Sequence, residues 1–238
     1  MLEPAALRDL RARASRFFIV VLWAHVPIVT LIAATSGNDA LLPTLGAVGL
    51  AAIGSAGAWF APAELSGRLA VAWALIGMPM LFVHAAAGAL QIDFHMYFFA
   101  VFAMLAAYVD WRPIALAATL VALHHLVLDF AAPRSVFPTL GGIDGLPRVL
   151  LHAAIVVAEC GVLFWITARV YALFVDADAK HQRAEQALDE AAVLREMLTG
   201  EAALKDAALG KSQLSLTEAR DAAASASHQE SLRILAER

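Results

Sequence analysis

Residues 150–176 read LLHAAIVVAECGVLFWITARVYALFVD, an apolar run that carries His152 and Glu159 and passes directly into a charged tail without proline. A helix rises 1.5 Å per residue, so about 20 apolar residues cover the hydrocarbon core of a bilayer. Backbone polar groups in lipid must bond within their own segment, and a run of this kind is therefore helical. Nothing between Trp165 and Lys180 would stop that helix, so the last span is expected to run out of the membrane into the tail.

Five similar stretches precede it, at roughly 17–35, 41–61, 68–90, 93–110 and 113–131, with the last span covering 148–175. Polar or helix-breaking segments divide them: Ser36-Gly37-Asn38-Asp39, residues 62–67, Gln91-Ile92-Asp93, Asp110-Trp111-Arg112-Pro113, and a longer loop over 133–147. Their Ala/Leu/Val composition lacks the alternation of a barrel strand. The expected fold is all-α: a six-helix transmembrane bundle whose last helix continues into a cytoplasmic coiled coil. Three parts follow: a cytoplasmic amino-terminal segment at 1–16, the bundle at 17–175 and a signalling helix at 176–238.

Composition agrees. Of 238 residues, 61% are hydrophobic and 16% charged, and the mean hydropathy is +0.71. Ordinary soluble domains have about 45–50% apolar and about 25% charged residues. A net charge of −4 offers no basic footprint for nucleic acid. The lone Cys160 excludes an internal disulfide framework and a cysteine-only metal cluster. No phosphate-binding glycine loop, G-x-S-x-G, H-E-x-x-H or C-x-x-C is present, and the chain is read as a non-enzyme.

Lys and Arg set the expected orientation. Arg8, Arg11, Arg13 and Arg16 precede the first span, Arg68 lies between the second and third, and Arg112 between the fourth and fifth. The other side has Arg134 and Arg148. The positive-inside rule then makes both termini cytoplasmic, in a bacterial inner membrane, with the first span a retained signal anchor. In the tail, Ala184, Leu188, Ala191, Leu194 and Leu198 approximate a heptad interrupted by Gly200 and Gly210. An imperfect coiled coil joining a homodimer is expected.

Ionisable residues inside spans are costly and mark functional sites. Six of the eight histidines lie in or beside the spans: His25, His84, His95, His124, His125 and His152. Counting depth from the expected outer ends, the last five fall within roughly 3–10 Å of one surface, from helices three to six. His25 and Glu159 come out one level deeper, near the middle, where they could face each other. His125 and Asp129 are four apart, so Asp129 could hold an imidazole N–H from behind. His124 and His125 point about 100° apart, so one is expected to be a ligand and the other a supporting or second-site residue. Imidazole suits zinc, copper and iron, and Met80, four before His84, suits copper.

Several of these residues carry a resemblance. Trp23-Ala-His25-Val-Pro27, Val83-His84, Asp93-Phe-His95-Met-Tyr, Asp110-Trp-Arg-Pro113, Leu123-His-His125-Leu, Leu151-His152-Ala and Glu159 together resemble the His-rich, six-span sensor region at the amino terminus of some bacterial methyl-accepting chemotaxis proteins and diguanylate cyclases. A similarity to copper-associated MHYT sensor domains is only local, at His95-Met96-Tyr97. The resemblance implies a membrane receptor whose last helix relays a signal to a cytoplasmic output outside these residues.

The expected function is thus sensing through a metal ion (copper, zinc or iron) held by His84, His95, His124 or His125, and His152, supported by Glu159 and His25. Three alternatives stay open: a haem b sensor with two of these histidines as axial ligands, a two-metal membrane oxidase, and a signalling anchor whose histidines sense pH.

Overall fold

The computed structural model describes residues 3–86, 88–137 and 142–236. All regular structure among them is helical: α1 Ala5–Thr35, α2 Leu41–Phe60, α3 Leu65–Ala85, α4 Ala89–Leu105, α5 Trp111–Ala131 and α6 Leu146–Ala236, with short 3₁₀ turns at Ala106–Tyr108, Pro133–Ser135 and Gly142–Asp144. All six helices are long and apolar enough to cross a membrane, which makes this a multi-pass membrane protein. Trp59, Phe60 and Leu42 are 73–84% exposed, the surface expected of a chain solvated by lipid rather than water. α1 begins at Ala5, well before residue 17, because nothing between Pro4 and the apolar run breaks a helix.

The chain divides into two compact units, Met1–Asp178 and Ala179–Arg238. The second is helical to Ala236, and every described side chain from Lys180 onward is exposed.

Within the first unit α3 is the centre. In its most apolar 18-residue stretch 61% of the residues are buried, against 28–33% in α1, α2, α4 and α5 and 11% in α6. Small residues let α2 lie close against it: Ala47, Ala51, Gly54 and Ala58 form the buried stripe of α2. Ser55 stands outside that stripe and accepts a hydrogen bond from Trp23 Nε1 at 3.1 Å. Closest approach comes at Gly67, where an added Cβ would lie 1.9 Å from the carbonyl oxygen of Ala61 and 2.7 Å from that of Gly57. Those are backbone atoms and cannot swing aside. Gly67→Ala is expected to cost at least about 3 kcal/mol, the upper end for overpacking, in denaturant unfolding of the detergent-solubilised protein. Unchanged stability would show that the α2–α3 connection has room to shift.

One end of the bundle gathers the α2–α3 and α4–α5 connections with the start of α1. Here charges the sequence assigns to orientation are buried. Arg68 and Asp110 are 3% and 4% exposed and pair at 2.8 Å, and Arg68 also donates to the Ala63 carbonyl. The other oxygen of Asp110 accepts from the backbone N–H and Nε of Arg112, capping α5. Arg11 donates to the carbonyls of Tyr108 and Val109 at 2.8 and 3.0 Å and pairs with Glu3. Val109 itself holds φ +50°, a left-handed conformation unusual for a β-branched residue. Ser15 closes the network, donating to the Pro62 carbonyl at 2.6 Å and lying 3.1 Å from the Tyr108 hydroxyl.

Candidate functional site

The opposite end carries the α1–α2, α3–α4 and α5–α6 connections and the histidines. His95 on α4, His125 on α5 and His152 on α6 form a nearly equilateral triangle. Their ring centroids are 5.4 Å (95–125), 5.8 Å (95–152) and 5.9 Å (125–152) apart. Phe137, delivered by the turn after α5, caps it, its centroid 5.3, 5.9 and 5.5 Å from the three imidazoles and stacked within 6° of His95. Arg148 sits 5.1 Å over the centre of that phenyl ring. Phe98 lies against His95 and His125 at 6.1 and 5.5 Å.

The backbone fixes the tautomer of each ring. Nδ1 of His95, His125 and His152 lies 2.5, 2.9 and 2.9 Å from the carbonyl oxygen four residues earlier, of Gln91, Val121 and Arg148. A carbonyl only accepts, so each Nδ1 carries the proton and each neutral imidazole keeps its lone pair at Nε2. Nε2 of His95 and of His125 is buried without a hydrogen-bond partner among the described residues. Buried nitrogens left unpartnered are uncommon and call for an explanation. Even so, no three His, Cys, Asp or Glu side chains among the described residues stand in a metal-holding arrangement.

The other expected residues lie elsewhere. His124 is half-buried, its ring 5.2 Å from that of His125 and 6.3 Å from Phe98, so His125 takes the place in the triangle. His84 is exposed and lines a separate pocket. His25 donates from Nδ1 to the Val21 carbonyl at 2.5 Å, accepts at Nε2 from the Tyr97 hydroxyl at 2.7 Å, and stacks on Phe82. It makes no hydrogen bond to Glu159, whose Oε2 is buried and unpartnered among the described residues. Asp129 is fully buried with both oxygens likewise unpartnered. It lies against Gly145, where an added Cβ would stand 2.5 Å from Oδ1, while the Nδ1 proton of His125 goes to Val121.

Sequence reasoning missed Phe137, Phe98 and Tyr97. Tyr97 had a signal, two residues after His95 in a span. Phe137 had none, since loop residues lack a period.

An apolar cleft of about 970 Å³ opens beside the triangle between α4, α5 and α6. His95, His125 and His152 stand at one end, and Ala118, Cys160 and Phe164 line it farther along. It exists because α6 is so little buried.

No family model and no solved structure matches the chain. Among curated proteins it is similar to the transducer protein Htr8 of Halobacterium salinarum, 28% identical over 202 residues, an alignment covering 79% of this chain and 30% of that protein. The chain thus spans less than a third of that relative's length and is related to a transducer.

Proposed function

We propose that this chain is the membrane sensor part of a signal transducer, which holds a metal ion through His95, His125 and His152 and relays the ion's presence along α6. The observation carrying this reading is the triangle of imidazoles with fixed tautomers, two of whose Nε2 lone pairs have nothing else to do. The transducer relationship supports the signalling half.

The donor set fits the ion chemically. Neutral imidazole nitrogen suits copper, zinc and iron. At a metal–nitrogen distance of about 2.0–2.1 Å, three imidazoles sharing one ion would have ring centres roughly 5 Å apart. The triangle is a little wider, with His152 the outlying corner. A bound ion supplies an attraction that the three rings share. The chain's part is to anchor His95 and His125 on packed helices and His152 on the loosely packed α6, so that closing the triangle draws α6 inward. Helix shifts of about 1–2 Å are ordinary signalling movements. Phe137 and Phe98 keep water from the lone pairs, and His124 supports His125 from outside the triangle.

One observation favours a second reading, haem b. A cleft of about 970 Å³ lies at the upper end of ordinary ligand pockets, and two of the same Nε2 atoms would be the ones to hold a haem iron. Elemental analysis with an absorption spectrum of the purified full chain separates the two. Roughly one metal per chain without a Soret band supports the ion; a Soret band transfers the site to haem. Less than about 0.2 metal per chain after supplementation, and no band, overturns both.

The tail supplies the relay. Leu188, Leu194 and Leu198 are 57–70% exposed in the single chain, and pairing two copies in the inner membrane with cytoplasmic tails buries them. Cysteines placed at 194 or 198 are expected to cross-link between copies, and those at 193 or 197 much less. Equal yields at all four positions would remove the coiled-coil register.

A further inference from the structure

A second pocket opens at the same end of the bundle, with a volume of about 530 Å³. All three connections of that end build it: Asn38 and Asp39 from α1–α2, Gly88 from α3–α4, and Arg134 and Ser135 from α5–α6, with His84 and Gln91 at its wall. Its character differs from the apolar cleft, since charged and hydrogen-bonding groups converge on it.

Its frame is held by bonds between loops. Asn38 Nδ2 donates to the Ala85 carbonyl at 3.0 Å, and the buried Gln91 donates from Nε2 to the Arg134 carbonyl at 2.6 Å. Asp39 uses Oδ1 to accept the Leu41 N–H at 3.0 Å, which orients the carboxylate. The Arg134 guanidinium makes no ion pair among the described residues. One cation and one anion thus face a cavity of small-molecule size. Loops held on a rigid scaffold, with a few polar groups converging, are where proteins place ligand sites.

We infer that this pocket binds a small zwitterion bearing a carboxylate and an ammonium group, an amino-acid-like molecule. Arg134, with Ser135 and His84 beside it, receives the carboxylate by the forked hydrogen bonding a guanidinium offers. Asp39 receives the ammonium. The pocket is wired to the imidazole triangle through Gln91, whose side chain holds Arg134 and whose own carbonyl takes the Nδ1 proton of His95 at 2.5 Å. Arg134 also lies three residues before Phe137, the cap of the triangle. A zwitterion pulling on Arg134 therefore acts on the cap and on His95 together. The site stands on these residues whether or not the triangle holds a metal.

Calorimetric titration of the metal-free full chain in phosphatidylcholine nanodiscs tests this, with L-serine, L-leucine, L-glutamate and L-lysine as probes and acetate and methylammonium as single-charge controls. At least one amino acid is expected to bind saturably, and each control at least about tenfold more weakly. Arg134→Gln and Asp39→Asn are each expected to weaken the amino acid about tenfold, the effect of one charge-assisted hydrogen bond. Both side chains are exposed, so folding should be untouched, and an unchanged unfolding midpoint verifies it. No saturable heat from any of the four amino acids up to about 10 mM, acetate binding as well as they do, or full affinity in both variants would overturn the inference. Because the protein is metal-free, each of these outcomes leaves the histidine reading standing on its own measurement.

Discussion

Asp110→Ala is expected to lower the unfolding free energy by about 3–5 kcal/mol, because it strands the Arg68 guanidinium in a buried site without its counter-charge. The two side chains, each almost fully buried, share a 2.8 Å ion pair. The same substitution removes the cap of α5. Replacing both partners distinguishes the causes. Asp110→Leu combined with Arg68→Met leaves no uncompensated buried charge, since Arg112, the other partner of Asp110, is exposed to solvent. It should recover most of the loss, with only the cap, worth about 1 kcal/mol, still missing. A double variant as unstable as the single one would mean that the cap and the backbone, not the charge, hold this end together.

Acid provides an independent check. Asp110 lies in a connection, outside the spans. Burial acts to raise its pKa, but the hydrogen bonds from Arg112 and the charges of Arg112 and Arg68 outweigh it and hold the carboxyl below its ordinary 3.8. A depressed folded-state pKa means that the unfolded chain binds the proton more readily. The stabilisation is therefore complete above the ordinary value and disappears as pH falls through the lower folded value. Unfolding of the parent should steepen only below about pH 4, and Asp110→Asn should lack that component.

His95→Ala, His125→Ala and His152→Ala are each expected to weaken metal binding by about a hundredfold or more, about 2.7 kcal/mol. Even loss of a group supporting a metal ligand costs about 10–100-fold, and these three would be the ligands themselves. His25→Ala is the matched control: its Nε2 is already engaged by Tyr97, and it should leave the affinity unchanged. Competition with a chromophoric chelator, using the full chain in detergent, measures all four. Loss in the His25 variant with retention in the other three would move the site to the middle of the bundle.

The six spans and the unbroken last helix were legible because the bilayer imposes length and hydropathy on each element separately. The histidine layer was legible for a related reason: residue count fixes depth along a helix. Depth does not fix the direction a residue faces. His84 lines the neighbouring pocket and His124 stands beside His125, so neither ring enters the triangle. His25 was expected near Glu159 on depth alone, and the Tyr97 hydroxyl reaches it instead. Arg68 and Arg11 were legible as charges but not as buried ones, since their partners Asp110 and Glu3 lie 42 and 8 residues away. Asp110 was legible only as a break, although an acidic residue just before Trp111-Arg112-Pro113 has the pattern of a helix cap.

Sparse burial along α6 has a mechanical consequence. Tilting this helix against the rest of the bundle dislodges few interlocked side chains, so the restoring force is weak and thermal motion samples a broad range of its positions. A soft spring of this kind responds to a small pull at one corner, as His152 would provide. Stiffening it, by filling the cleft with larger side chains at Ala118 or Gly161, should blunt the response even where the pull itself is undiminished.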